Sequence, residues 1–168
     1  EVNKLKTISG LLKTIPDDLV TKVEHFIGDQ KEKDRKIESL KARLLRKQSE
    51  DLINTAREIN GINVISQEVA TADPKDLREF GDHLKDKFKS GIIVLGAKAD
   101  GKVFLLCRIT HDLTDRFNAG TIIKDLSVFV GGKGGGRKDM AEGGGTKVSE
   151  LKNALSKAFD MVSEHSAR

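Results

Sequence analysis

Eight of the sixteen glycines crowd into residues 131–145, in the run Gly131-Gly132-Lys133-Gly134-Gly135-Gly136-Arg137-Lys138-Asp139-Met140-Ala141-Glu142-Gly143-Gly144-Gly145. Glycine loses more backbone freedom on ordering than any other residue. So dense a cluster therefore implies left-handed backbone, or an approach too close for side chains. Lys133, Arg137, Lys138 and Lys147 accompany the run against Asp139 and Glu142. Exposed N–H groups beside Arg and Lys make a cradle for a phosphate or another oxyanion. The familiar nucleotide loops do not fit. A P-loop needs Ser or Thr after Gly-Lys, whereas Gly132-Lys133 runs into Gly134, and a dinucleotide fingerprint needs glycine where Arg137 stands. Composition leaves a plainer alternative open: a flexible linker, or a tightly packed turn between two helices.

Bond-making chemistry finds less support. The four histidines are His25, His83, His111 and His165, and three of them lie in charged helical or terminal stretches that read as solvated. His111-Asp112 follows a strand pattern and has the types for general-base work. No Ser or Cys nucleophile stands at a recognisable elbow, so an Asp-containing turn is the expected role. Cys107 is the single cysteine, in Val103-Phe104-Leu105-Leu106-Cys107. It reads as a buried, reduced thiol that packs as a small hydrophobe, and one cysteine supplies neither a disulfide framework nor a zinc site. No catalytic and no metal-ligating residue is expected in this chain.

The elements that position these residues change character near residue 61. Pro16-Asp17-Asp18 opens a helix with acid in its first turn. Leu19, Val20, Val23, Phe26 and Ile27 follow on one face, then a wholly polar stretch at 28–36. The stripe resumes as Ile37, Leu40, Leu44 and Leu45, then Leu52, Ile53, Ala56 and Ile59. Spacings of three and four give an amphipathic helical arm over residues 1–61, either one long helix or two broken near Gly28, with Asn60-Gly61 as its stop. The arm has too few apolar residues for a core of its own and must lean on something else.

Residues 62–168 read as a globular α/β domain. Ile62-Asn63-Val64-Ile65 is a short strand, and Asp73-Pro74 opens a helix carrying Leu77, Phe80, Leu84 and Phe88. Ile92 to Leu95 and Val103 to Leu106 flank Asp100-Gly101, a strong hairpin signal. Asn118-Ala119-Gly120 precedes a helix with Ile122, Ile123, Leu126 and Phe129. Val148, Leu151, Leu155, Phe159 and Val162 mark a last one. The expected fold class is α/β, a small mixed sheet packed with helices and preceded by the helical, coiled-coil-like arm.

Bulk composition narrows the partners. Among 168 residues, 33% are charged and 37% hydrophobic, with net charge +4 and pI near 9.1. That balance favours a polyanion without demanding one. No run approaches a membrane span. There is no Trp or Tyr, and the seven Phe lie mostly in apolar patterns. A reader of splayed single strands would want exposed rings, so any bound RNA should be met through shape and backbone. The start, Glu1-Val2-Asn3-Lys4, suits a piece of a longer polypeptide.

The run Val130 to Ala141 with Gly143-Gly144 resembles the signature of the C-terminal domain of alanyl-tRNA synthetase. That signature reads Gly-Gly-Lys-Gly-Gly-Gly, then Arg, an Asp, and Met-Ala before further glycines. The resemblance extends over residues 62 to 163, and the arm is similar to the linker joining this domain to the family's editing domain. Lys138 departs from the pattern, standing where many members carry proline. The resemblance implies a non-catalytic module that binds the tRNA for alanine at the outer corner of its L. One tRNA would be held there while its acceptor end visits aminoacylation and editing sites. The residues expected to bind the RNA are those of the glycine-and-cation cradle: Lys133, Gly134, Gly135, Gly136, Arg137, Lys138 and Lys147. The other implied partners are the catalytic and editing domains of the same chain, in the cytoplasm. This chain would hold no cofactor; ATP with Mg, and the editing Zn, would belong to those other domains. A second reading is an oligomerisation element built from the arm and the glycine face. A third is an accessory substrate-binding domain of an Asp-His-His phosphodiesterase. Those enzymes usually carry His where Arg137 stands, and their metal ligands are not in this sequence.

Overall fold

The computed structural model describes residues 2–71 and 73–166, and the side chains of Val2, Leu45, His165 and Ser166 lie outside that description. The chain divides into two compact units, Glu1–Arg46 and Lys47–Arg168. The first contains α1 (Val2–Leu11), which the apolar spacing does not mark, a 3-10 turn at Pro16–Asp18, and most of α2 (Leu19–Ile53). Helix α2 passes Gly28 unbroken. One interior glycine costs about 1 kcal/mol, and the Lys, Glu, Gln and Arg around it are good helix formers. Phe26, Ile27, Ile37, Leu40 and Leu44 remain exposed along it.

The second unit is a six-stranded mixed sheet in the order β1-β2-β3-β4-β6-β5. Its strands are β1 (Arg57–Ile59), β2 (Ile62–Glu68), β3 (Gly91–Ala99), β4 (Lys102–Ile109), β5 (Gly132–Gly136) and β6 (Met140–Gly145). β2 and β3 run parallel and are joined through α3 (Pro74–Lys85); every other neighbouring pair is antiparallel. The chain is completed by α4 (Ala119–Phe129) and α5 (Leu151–Ser166).

Local chemistry sets the boundaries. Asp73 caps α3 by accepting from the Lys75 N–H at 2.8 Å, with Pro74 in the first turn. Asn118 caps α4 by accepting from the Gly120 and Thr121 N–H groups. Asp100 and Gly101, at φ 50° and 71°, make the expected hairpin turn. Asn60 and Gly61, at φ 51° and 81°, make another. The expected helix stop at Asn60-Gly61 is therefore a β1–β2 turn, and α2 ends earlier, at Ile53. Both sites need positive φ, which Asn and Gly supply in a helix terminus and in a tight hairpin alike.

Helices cover both faces of the central strands. Ile92, Val94, Val103, Leu105, Cys107 and Ile109 face a core closed by Ile122, Ile123 and Leu126 of α4 and by Leu151, Leu155 and Val162 of α5. On the opposite side, α3 packs Leu77, Phe80 and Leu84 against β3 and β4, where Ile93, Leu95 and Leu106 are buried. The Ser66 hydroxyl donates to the Leu155 carbonyl at 2.6 Å, tying β2 to α5 inside the core. Ser66→Ala should lower the unfolding free energy by about 1 kcal/mol, read from the urea midpoint at constant slope; an unchanged midpoint would show that this bond adds nothing.

Candidate nucleic-acid interface

The glycine run is a β-hairpin, not a loop of left-handed backbone. Of its eight glycines only Gly131 has a positive φ, 69°. The rest lie in β5 and β6, with β6 against β4 and β5 at the sheet's edge. Close approach is what requires glycine here. Helix α4 rests directly on the hairpin, and a Cβ on Gly134 would meet Ile123 Cγ2 and Ser127 Oγ, each at 2.6 Å. Tight packing is thus what the glycines serve, although as a strand pair under α4 and not as a turn between two helices.

Strand alternation divides the segment between two faces. Gly134 and Gly143 pair and turn toward α4. Lys133, Gly135 and Arg137 turn the other way, where Gly135 stands opposite Glu142, and Glu142 opposite Leu106 of β4. Around Gly135 this face is open, with an exposed cation on each side, Lys133 and Arg137. An added Cβ at Gly135 would meet nothing within 4 Å, unlike every other glycine of the run.

The remaining candidates fall elsewhere. Lys138 sits in the turn, its carbonyl accepting from the Ala119 N–H, and lines a hollow with Arg116, Thr121 and Met161. Lys147 lies at the hairpin's base, its side-chain stem against Gly131. Gly136 packs on Met140 and Ala141 of the facing strand. The structure thus brings Lys133, Gly135 and Arg137 together and sets Gly134, Lys138 and Lys147 apart from them.

Charged partners that sequence spacing does not reveal complete the open face. Arg137 pairs with Asp139 at 3.4 Å. Arg78 of α3 pairs with Glu142 through both guanidinium and carboxylate edges, Nη2 donating to Oε2 at 2.6 Å, and this holds the guanidinium above its ordinary value. Arg108 pairs with Asp82 while only 11% exposed. Burial lowers its guanidinium pKa, which the nearby Asp139 carboxylate partly restores. The one signal in the sequence was an arginine closing the apolar run of β4.

The other reactive types take structural places. Cys107 is fully buried, which pushes its thiol up. His111 and Asp112 form a 3-10 turn, and the hydroxyls of Thr110 and Ser90 hold the Asp112 carboxyl below its usual range. No group of three His, Cys, Asp or Glu side chains converges among the described residues. No helix among them is long and apolar enough to cross a membrane.

A six-stranded mixed sheet whose glycine hairpin carries α4 on one face and the exposed Lys133 and Arg137 on the other defines a mixed α/β domain. The chain belongs to the DHHA1 domain family, which matches residues 61–164. It is 40% identical over 159 residues to the alanine–tRNA ligase of Desulfosudis oleivorans, covering 94% of this chain and 18% of that protein. With the alanine–tRNA ligase of Nitrosospira multiformis it shares 38% identity over 162 residues, covering 96% and 19%. The chain therefore spans less than a fifth of the length of these relatives. Among solved structures it shares the fold of the C-Ala domain from Aquifex aeolicus alanyl-tRNA synthetase. That match has a TM-score of 0.61 and 21% identity, over 64% of this chain and 97% of that chain. The resemblance seen in the glycine run is thereby met.

Proposed function

We propose that this chain is the tRNA-binding C-terminal domain of an alanine–tRNA ligase, acting in the cytoplasm. It holds the corner of the alanine tRNA while catalytic and editing domains of the same polypeptide work on the acceptor end. The observation that carries this reading is the open glycine floor, where Lys133 and Arg137 flank Gly135. A Cβ at Gly135 would meet nothing within 4 Å, so backbone can be approached there, and both cations lie on that same face. The names of the relatives supply the nucleic acid and the parent reaction. The absence of Trp and Tyr favours a folded surface over splayed bases.

Competition binding tests it. The chain should bind folded tRNA, and an unstructured RNA of equal length should compete poorly. It should show no alanine-dependent pyrophosphate exchange by itself. Equal competition would reduce the site to a general basic surface, and measurable exchange would overturn the non-catalytic assignment. The exposed Ile37, Leu40 and Leu44 of α2 favour self-association as a second reading. It requires a concentration-dependent dimer in light scattering.

A further inference from the structure

We infer that Arg78, a helix residue outside the glycine run, is a further phosphate-binding group of the open face, and that Glu142 occupies it in the ligand's place. The inference rests on the RNA reading of that face. Glu142 is the cross-strand partner of Gly135, so it rises from the strand beside the floor that Lys133 and Arg137 border, on the same face of the sheet. Arg78 reaches it from α3 and donates from Nε and Nη2 to its two oxygens. A phosphate offers a guanidinium fork the same pair of acceptors. The carboxylate thus marks where phosphate oxygens fit.

Three further observations agree. The Arg78 and Glu142 side chains are 53% and 34% exposed, and ion pairs in contact with water are weakly held, so an incoming phosphate can replace the carboxylate. Arg108 with Asp82 makes the contrast: Arg108 is only 11% exposed, pinned between α3 and the sheet and out of reach. Gly135 is the third. Packing gives no reason for glycine there, whereas a partner descending between Lys133 and Arg137 needs the space to reach the level of the fork. Glu142 then acts as a specificity-determining residue. A lone anion must displace it unaided, but a phosphate chain already anchored on Lys133 and Arg137 presents the next phosphate at high local concentration.

The decisive comparison is made in a chain without the Glu142 charge. Glu142→Gln and the double variant Arg78→Ala/Glu142→Gln both lack the ion pair, so its loss affects both alike, and urea unfolding checks that they remain folded. Binding of folded tRNA is measured against salt for each. Glu142→Gln should bind more tightly than wild type, its competitor having been removed. The double variant should bind about fivefold more weakly than Glu142→Gln, with a salt slope lower by roughly 0.7 to 0.9. Equal affinity and slope for the two would overturn the inference, leaving Arg78 as a mere neutraliser of Glu142. Failure of the corner reading looks different: wild type would show no preference for folded tRNA, while the pair of variants still reported whether Arg78 meets phosphate. Absence of binding to any RNA would overturn both.

Discussion

Gly143→Ala should destabilise the second unit by about 3 kcal/mol, at the upper end for overpacking a filled interior, whereas Gly135→Ala should stay within about 0.5 kcal/mol of wild type. A Cβ at Gly143 would run into Ser127 Oγ, and would lie 2.8 Å from Ile123 Cγ2 and 2.9 Å from the Gly134 Cα. Two of these neighbours belong to α4 and the third to the backbone of β5, so relief means lifting a helix or spreading a strand pair. At Gly135 the same methyl enters open space. Ser127 offers an internal check, because its buried hydroxyl has no hydrogen-bond partner among the described residues and is the closest obstacle. Adding Ser127→Ala to Gly143→Ala should recover about 1 kcal/mol, whereas Ser127→Ala alone should be nearly neutral. Urea midpoints at constant slope measure all four, and thermal melts should show Gly143→Ala roughly 6 to 12 °C lower. Equal stability of Gly143→Ala and Gly135→Ala would show that α4 does not rest on the hairpin.

Changing Lys133, Arg137 and Lys138 together to Ala should lower the salt slope of tRNA binding by about two units and weaken binding at least tenfold at moderate salt. Each lost phosphate contact removes roughly 0.7 to 0.9 from the slope. The fold should survive, since all three side chains are exposed and the lost Arg137–Asp139 pair is a surface contact of little worth. Geometry divides the effect. Lys133 and Arg137 share the open face, whereas Lys138 lies toward α4, so Lys133→Ala/Arg137→Ala should account for most of the loss. Circular dichroism serves as the folding control. An unchanged slope in a folded triple variant would move the RNA site, most naturally to the basic stretch at Arg43, Arg46 and Lys47.

Turn chemistry made part of this fold legible. Asp100-Gly101 between two apolar runs specified its hairpin because few residues tolerate positive φ at consecutive positions. Asn60-Gly61 has the same preference and was ambiguous for that reason. β1, only three residues long, shows too little alternation to reveal a strand on its N-terminal side. The glycine run hid its strands more thoroughly, since glycine disfavours sheet and its pairing was imposed from outside, by β4 beside it and α4 above it. Once the segment is seen as strand, a period of two separates Lys133 and Arg137 from Lys138. The Arg78–Glu142 contact joins residues 64 positions apart, beyond any local pattern.

The position of β6 between β4 and β5 has a consequence for solubility. β4 carries Val103-Phe104-Leu105-Leu106-Cys107, a continuous apolar strand of the kind that recruits copies of itself when its hydrogen-bonding edge lies bare. The hairpin covers that edge and leaves instead a rim of four glycines and one lysine. Such a rim is poor in sheet propensity and carries a charge that repels its own kind. The opposite rim, β1, is short and bears Arg57 and Glu58. A chain that has not yet laid its hairpin down would expose β4 as a template for aggregation. The glycines that let α4 seat on the hairpin therefore also protect the sheet from joining another.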